Sequence, residues 1–354
     1  MQRSITHGKE KKLSVLKRIK RKILLWLRLT NDPVIKVYNG YGSSEKMIIF
    51  GHALRLSPLP RKKYRKNVFT NSYGLFRMFM TRPLTGSRIR IVWGSEIYET
   101  HTEQDGFFRF EWSPGRDLVP GWYSVTVSII QPSRKTKFAE ARGDILVPYA
   151  YKNIFISDID DTFLISHSHN LRKRLYILLT KNARSRKPFE SVVNYYQLLS
   201  KTGTGEGTLN SFFYVSSSEW NLYDYIAEFT NEQRLPKGVF LLGQMKKISQ
   251  LWNTGHNNHW SKFTRIVRIM EAYPDQHVVL FGDDSQEDPS IYLSLSEHFP
   301  GRITAVYIRR VRKSRNEEVN GIMRKFENTK VPFCYFSHSE EAIEHSQKMG
   351  IIYS

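Results

Sequence analysis

The chain has 354 residues, of which 40% are hydrophobic and 25% charged, a composition typical of a globular protein and not of a disordered one. Lys and Arg number 54 and Asp and Glu 33, so the net charge of +21 predicts an anionic partner: a phosphorylated substrate, an anionic membrane or nucleic acid. One cysteine excludes an internal disulfide framework, and no apolar run approaches the ~20 residues that span a bilayer.

The first 33 residues are predicted to form a basic amphipathic helix. Residues 1–36 contain eleven Lys or Arg against two acidic residues. Apolar side chains recur every three or four positions, at Leu13, Leu16, Ile19, Ile23, Leu24 and Leu27. The pattern is typical of a helix on an anionic membrane surface, and a helix packed on the protein with a solvated basic face is the alternative. No cleavable signal is recognisable, so we expect a cytoplasmic location with peripheral membrane association.

Residues 34–150 are predicted to form a smaller, β-rich domain. Asp-Gly and Pro-Gly turn signals separate short apolar or alternating runs, at Val34–Tyr38, Met47–Phe50, Ile89–Trp93, Phe107–Trp112 and Trp122–Ile130. This stretch carries no recognisable chemical motif. A β-sandwich is the architecture that we expect for it.

In residues 151–354, strand-like apolar runs alternate with helix-like stretches. This order predicts the α/β class, with a doubly wound, mostly parallel, Rossmann-like sheet and helices on both faces. Ligands bind such sheets at the C-terminal ends of the strands. The polar residues that directly follow each strand are therefore the candidates for chemistry.

Carboxylates follow two of these predicted strands. Asp158, Asp160 and Asp161 come after the first strand of the region. Asp283 ends a later one, and Asp288 follows five residues on. Like charges a few Å apart repel each other, and a bound divalent cation would remove that cost. Mg²⁺ is the cation that prefers carboxylate oxygens together with phosphate.

Two serines and a lysine complete the candidate site. Ser216 and Ser217 directly follow the apolar run Phe212–Val215. A hydroxyl at such a position is commonly a helix cap, but beside a phosphate site it would contact a phosphoryl oxygen. Lys262 lies at the start of a predicted helix, one turn before the apolar Ile266. Taken alone, Lys262 would be interpreted as a surface lysine.

Together these residues resemble the haloacid-dehalogenase superfamily of phosphotransferases. The superfamily's pattern of Asp-x-Asp-x-Thr, a strand with Ser or Thr, a Lys, and Gly-Asp-x4-Asp is matched at Asp158, Asp160, Thr162, Ser216, Lys262, Asp283 and Asp288. Residues 151–354 more closely resemble the actin-patch-associated phosphatidate phosphatase family, in the segments Ser157–Thr162, Ala183–Glu190, Tyr214–Tyr223 and Gly282–Tyr292.

The chain departs from that family at three positions. Ser217 and Glu219 stand where Asn and Pro are expected, and Asp284 stands where a small residue is usual. None of the three is a nucleophile, a general acid or a metal ligand in the family's pattern. The departures therefore concern the choice of substrate more than the chemistry.

The resemblance implies a role for each matching residue. Asp158 would be the nucleophile that forms an aspartyl phosphate, Asp160 the general acid and then the general base, and Lys262 the catalytic cation. The residues implied to bind substrate are Thr162, Ser216 and Ser217. Those implied to hold Mg²⁺ are Asp158, Asp160, Asp283 and Asp288, of which Asp288 would either ligate the ion directly or orient Lys262 or water.

The function expected is that of a Mg²⁺-dependent phosphatidate phosphatase, which produces diacylglycerol and phosphate at an anionic membrane. Two alternatives stay open: a phosphomonoesterase that acts on a soluble phosphate ester, and a non-catalytic basic protein that binds a membrane or nucleic acid. Nucleic acid is not expected as a partner, because the carboxylates would repel a polyanion and no motif that reads RNA or DNA is visible.

Overall fold

The computed structural model describes residues 32–56, 81–130, 137–149, 153–159, 191–205, 208–243 and 257–353. The predicted amphipathic helix therefore lies outside the described residues, except for its last two positions. Asp160 and Thr162 also lie outside them. No helix of the described ranges combines the length and the apolar character that crossing a bilayer requires.

Eight strands of the N-terminal half form one mixed sheet, in the order β3-β2-β1-β8-β7-β4-β5, with β6 paired to β2. β1 and β8 run parallel, and the other described pairs are antiparallel. The strands are β1 (Val34–Gly42), β2 (Met47–Leu56), β3 (Arg82–Pro83), β4 (Arg88–Trp93), β5 (Glu96–His101), β6 (Phe107–Trp112), β7 (Gly121–Ile130) and β8 (Lys137–Val147).

This sheet curls around a core of its own. Alternate residues of β4 and β6 point inward, as the two-residue period of a strand requires, and the polar residues between them face outward. Strands from both ends of the pairing order contribute to the same cluster of buried side chains, which includes Met47, Ile91, Phe108, Val127 and Ile145. One sheet thus supplies both walls of this core.

Six strands of the C-terminal half form an entirely parallel sheet, in the order β11-β10-β9-β12-β13-β14. They are β9 (Ile154–Ser157), β10 (Ser211–Glu219), β11 (Gly238–Gly243), β12 (Val278–Asp283), β13 (Ile303–Arg309) and β14 (Phe333–Phe336). The helices are α1 (Val192–Lys201), α2 (Tyr223–Glu232), α3 (Asn257–Ala272), α4 (Asp288–His298), α5 (Asn316–Thr329) and α6 (Ser339–Lys348).

The central strands of the parallel sheet are buried on both faces, which explains their continuous apolar runs. In β9, Phe155 packs on one face with Tyr195 and Phe281. Ile156 packs on the opposite face with Ile266. Every residue of β9 and β12 is buried, so the polar groups at their ends are the first that can meet a ligand.

The fold class predicted from the sequence is wrong. We expected a doubly wound, Rossmann-like sheet of the haloacid-dehalogenase type after a smaller β-sandwich. The larger sheet is instead the mixed one, with eight strands against six, and it is a single curled sheet. Alternation of apolar residues predicts that one face of a strand is buried. It does not say whether a second sheet or the same sheet covers that face.

The two sheets contact each other directly. Lys36 of β1 forms an ion pair with Asp224 of α2, and the backbone N–H of Asn39 donates to the Tyr223 hydroxyl at 3.1 Å. On the other side of the contact, the Tyr273 hydroxyl donates to the Gly42 carbonyl at 3.2 Å. Asn39 Nδ2 also donates to the Gly238 carbonyl of β11 at 3.0 Å, so the mixed sheet supports the parallel sheet on its β11 side.

Candidate active site

Three neighbouring parallel strands bring the candidate residues to one edge of the sheet. Ser157, at the end of β9, is level with Tyr214 of β10 and with Phe281 of β12. The residues that follow these positions, Asp158 and Ser216 among them, therefore emerge side by side. The backbone N–H of Asp158 donates to the Phe281 carbonyl at 2.8 Å, which continues the pairing with β12 to the site.

Three carboxylates meet at this edge. Asp158, Asp283 and Asp288 each offer one oxygen, and these oxygens all lie within 4.8 Å of one another. Their exposed fractions are 1%, 0% and 1%, so water screens their repulsion poorly. A Cβ on Gly282 would lie 2.4 Å from Asp288 Oδ2, and only glycine at this position lets α4 bring Asp288 so close.

Lys262 lies between two of the carboxylates. Its Nζ donates to Asp158 Oδ1 at 2.7 Å and to Asp288 Oδ1 at 2.5 Å. Burial alone would lower the pKa of Lys262, but the charges of Asp158 and Asp288 and their hydrogen bonds outweigh burial and raise the pKa. The ammonium group therefore stays charged at neutral pH. The first turns of α3 hold it in place, with Ile266 packed in the core one turn later.

The donor set fits a divalent cation. Three carboxylates and one ammonium leave a net charge of −2 in a buried cluster, which a divalent ion would neutralise. Carboxylate oxygens are the ligands that Mg²⁺ takes. Asp283 is oriented for this role, because its Oδ1 accepts a hydrogen bond from the Ser285 N–H at 2.5 Å.

The two predicted serines lie at the end of β10. Ser216 is completely buried, and Ser217 is partly exposed. Ser216 Oγ accepts a hydrogen bond from the Ser218 N–H at 2.9 Å, which fixes the turn after the strand. The structure thus brings Asp158, Lys262, Asp283, Asp288 and the two serines to one edge. The positions of Asp160 and Thr162 lie outside the described residues.

Asp284 is separate from the carboxylate cluster, although it is the neighbour of Asp283 in sequence. Its Oδ1 accepts hydrogen bonds from the N–H groups of Val311 and Arg312 at 2.8 and 2.9 Å. Its Oδ2 accepts one from the Tyr335 hydroxyl at 2.7 Å. Asp284 therefore fixes the loop after β13. The signal for a distinct role was its departure from the small residue usual at this position.

Sequence reasoning did not single out Arg265. This residue lies one turn after Lys262 on α3, and its Nη1 donates to the Ser216 carbonyl at 3.3 Å. The spacing of three residues from Lys262, which places both side chains on one face of the helix, was the signal available in the sequence.

Comparison with known proteins shows that the C-terminal half of the chain is similar to a known protein family. Residues 153–310 match the family described as "Phosphatidate phosphatase APP1, catalytic domain". The chain is 24% identical over 194 residues to phosphatidate phosphatase APP1 of Saccharomyces cerevisiae, covering 54% of this chain and 32% of that protein. It is 22% identical over 223 residues to an uncharacterised protein of Schizosaccharomyces pombe, covering 60% of this chain and 34% of that one.

The chain spans about a third of the length of these two curated relatives. Likeness to solved structures is low: a carbohydrate acetylesterase from Xanthomonas citri aligns with a TM-score of 0.30 and 9% identity, over 88% of this chain and 67% of that one. Such a score carries no argument about function. The family match is more informative, because residues 153–310, which include Asp158, Ser216, Lys262, Asp283 and Asp288, are similar to the catalytic domain of phosphatidate phosphatase APP1.

Proposed function

We propose that the chain is a Mg²⁺-dependent phosphatidate phosphatase that works through an aspartyl phosphate on Asp158. The observation that carries the proposal is the contact of the buried Asp158 carboxylate with the Lys262 ammonium, 2.7 Å away, beside two further carboxylates. The family match of residues 153–310 supports phosphatidate as the substrate class.

The reaction has two halves. First, a carboxylate oxygen of Asp158 attacks phosphorus, and the P–O bond to the glycerol oxygen breaks. The leaving alkoxide takes a proton from Asp160 and departs as diacylglycerol. Asp160 then removes a proton from water, whose oxygen attacks the phosphorus of the aspartyl phosphate. Inorganic phosphate leaves, and the Asp158 carboxylate and the Asp160 carboxylic acid are restored.

The described residues supply position and charge for these steps. Lys262 holds Asp158 Oδ1 at 2.7 Å, which fixes the nucleophile and offsets negative charge in the transition state. Ser216 and Ser217 stand at the neighbouring strand end, where their hydroxyl groups would contact phosphoryl oxygens. Thr162 has the same role by sequence alone.

Mg²⁺ fits the cluster of Asp158, Asp283 and Asp288, with Asp160 as a further ligand by sequence. When bound, it supplies positive charge that offsets the charge on the phosphoryl oxygens. The chain's own contribution is a buried and oriented set of oxygen ligands.

An anionic membrane is the partner that this function requires, because phosphatidate resides in one. The basic segment 1–33 and the net charge of +21 support peripheral attachment to its surface from the cytoplasm. Nucleic acid has no part in the proposal.

Phosphate release distinguishes the proposal from its alternatives. The protein is supplied with Mg²⁺ and with phosphatidate vesicles, and in parallel with soluble esters such as glycerol phosphate and p-nitrophenyl phosphate. We expect release from phosphatidate to exceed release from the soluble alkyl ester. Turnover of soluble esters alone would identify a soluble phosphomonoesterase. No turnover of any ester would identify a non-catalytic binding protein.

A further inference from the structure

Arg265 places a second cation near the Ser216 end of β10. Its side chain is partly buried on the face of α3 that also carries Lys262. The guanidinium reaches the ends of two strands: Nη1 donates to the Ser216 carbonyl of β10 at 3.3 Å, and Nη2 lies 3.6 Å from where a Cβ of Gly243 in β11 would be.

The guanidinium of Arg265 contacts no carboxylate among the described residues. Burial and, to a smaller extent, the charge of Arg268 together lower the pKa of Arg265 to about 10. Arg315 shows the usual arrangement, since it contacts both Glu287 and Glu318. A half-buried arginine loses hydration, and that loss is ordinarily offset by a bound anion.

Even with a divalent cation bound, the carboxylate cluster would have no net positive charge to bind such an anion. The three carboxylates and Lys262 sum to −2, so a divalent cation would bring the cluster only to neutrality. A phosphate monoester carries up to two negative charges. Lys262 already donates to Asp158 and Asp288. A guanidinium has five N–H donors in a planar fork, and among the described residues that of Arg265 donates to one neutral carbonyl.

We propose that Arg265 is a substrate-binding residue, which donates to a phosphoryl oxygen at the Ser216 end of β10. This inference rests on the proposed function for the kind of ligand, a phosphate monoester. It adds a cation that neither the sequence motifs nor the family match assigns. Arg265 would bind the phosphoryl group from the β10 side, opposite the carboxylates at the end of β12.

Binding of inorganic phosphate tests the proposal directly. The dissociation constant of phosphate in the presence of Mg²⁺ is measured by calorimetry for the intact chain and for Arg265→Gln, Arg265→Lys and Arg268→Gln. Arg268 is the matched control, because it is exposed, lies three residues further along the same helix and loses the same charge. We expect Arg265→Gln to weaken phosphate binding by about tenfold or more, the loss of one charge-assisted hydrogen bond.

The conservative variant separates charge from geometry. Arg265→Lys keeps the charge but loses the planar fork, so its dissociation constant should fall between those of the intact chain and Arg265→Gln. Arg268→Gln should stay within about twofold of the intact chain. If Arg265→Gln binds phosphate as tightly as Arg268→Gln, Arg265 only supports the turn after β10 and the proposal is wrong. If Arg265→Gln does not fold, unchanged phosphate binding by Arg265→Lys overturns the proposal equally.

This experiment is independent of turnover. A chain that hydrolyses no ester but binds phosphate through Arg265 would contradict the proposed phosphatase activity and support this inference. A chain that hydrolyses phosphatidate, and whose affinity for phosphate is unchanged by substitution of Arg265, would support the phosphatase activity and contradict this inference.

Discussion

The imidazole of His52 stacks on the indole of Trp220, with ring centroids 3.9 Å apart and ring planes at 18°. His52 belongs to β2 of the mixed sheet, and Trp220 directly follows β10, four residues after Ser216. The Tyr38 hydroxyl lies 3.0 Å from His52 Nδ1, so His52 is held on two sides. This stack joins the mixed sheet to the strand end that carries Ser216 and Ser217.

Moderately acidic pH should already weaken the contact between His52 and Trp220. Burial lowers the pKa of His52 to about 3, and the charge of Lys36 contributes in the same direction. The ordinary pKa of histidine is about 6.5, so between these values the unfolded chain binds a proton that the folded chain excludes. The stability contributed by neutral His52 is complete above pH 6.5 and declines as the pH falls towards 3.

The expected loss of folding stability is measurable between pH 7 and pH 5. One pKa unit corresponds to about 1.4 kcal/mol, so His52 should account for about 2 kcal/mol of the free energy of unfolding lost between pH 7 and pH 5. Denaturant unfolding at both pH values, for the intact chain and for His52→Gln, checks it. His52→Gln should lose less stability over this interval; an equal loss in both proteins would show that His52 does not carry the effect.

Asp158→Asn should abolish hydrolysis of every phosphate ester while the protein stays folded, because an amide is no nucleophile. The substitution also removes one negative charge from a cluster with a net charge of −2. Without Mg²⁺, the melting temperature of Asp158→Asn should therefore be at least as high as that of the intact chain. Turnover is measured by phosphate release and stability by thermal unfolding in a chelator. Full activity in a folded Asp158→Asn protein would exclude Asp158 as the nucleophile.

Mg²⁺ should stabilise the protein through the carboxylate cluster. A ligand at 100 times its dissociation constant adds about 2.7 kcal/mol to the free energy of unfolding, so a chelator should lower the melting temperature. Asp283→Asn should reduce this response to Mg²⁺. Asp284→Asn is the matched control, because Asp284 holds the N–H groups of Val311 and Arg312 instead. Equal loss of the Mg²⁺ response in both variants would contradict the separation of the two neighbours.

The neighbouring aspartates also show what the sequence can and cannot predict. Strand ends and spacing sufficed to group Asp158, Asp283 and Asp288, because parallel strands bring their ends to one edge. The anchoring role of Asp284 depends on the loop after β13, which is 27 residues away in sequence. No local pattern contains that pairing.

The fold prediction was wrong for the same reason. The curl of the mixed sheet depends on the parallel pairing of Gly40 and Tyr41 with Ile145 and Leu146, about 100 residues apart. Apolar alternation within each strand is identical in a sandwich and in a curled sheet. Which strand covers a given face depends on the tertiary structure and cannot be read from the local sequence. The same holds for Arg265, which has no carboxylate beside it among the described residues.

The basic segment at residues 1–33 should hold the protein on anionic membranes. Each Lys or Arg close to such a surface contributes about 1 kcal/mol, and the effect decays over about one Debye length. Deletion of residues 1–30 should therefore reduce sedimentation with anionic vesicles, and the reduction should be larger at low salt than at high salt. Vesicles of neutral lipid are the control, since they should bind both proteins weakly.

Activity measurements on two substrates distinguish loss of membrane attachment from loss of a folded site. Asp158, Ser216, Lys262, Asp283 and Asp288 all follow residue 150, so the shortened chain should still hydrolyse a soluble, short-chain phosphate ester while its rate on phosphatidate vesicles falls. Equal vesicle binding by the shortened and full chains at low salt would contradict the membrane role. The segment would then be better interpreted as a helix packed on the protein, and a soluble phosphate ester would become the better candidate substrate.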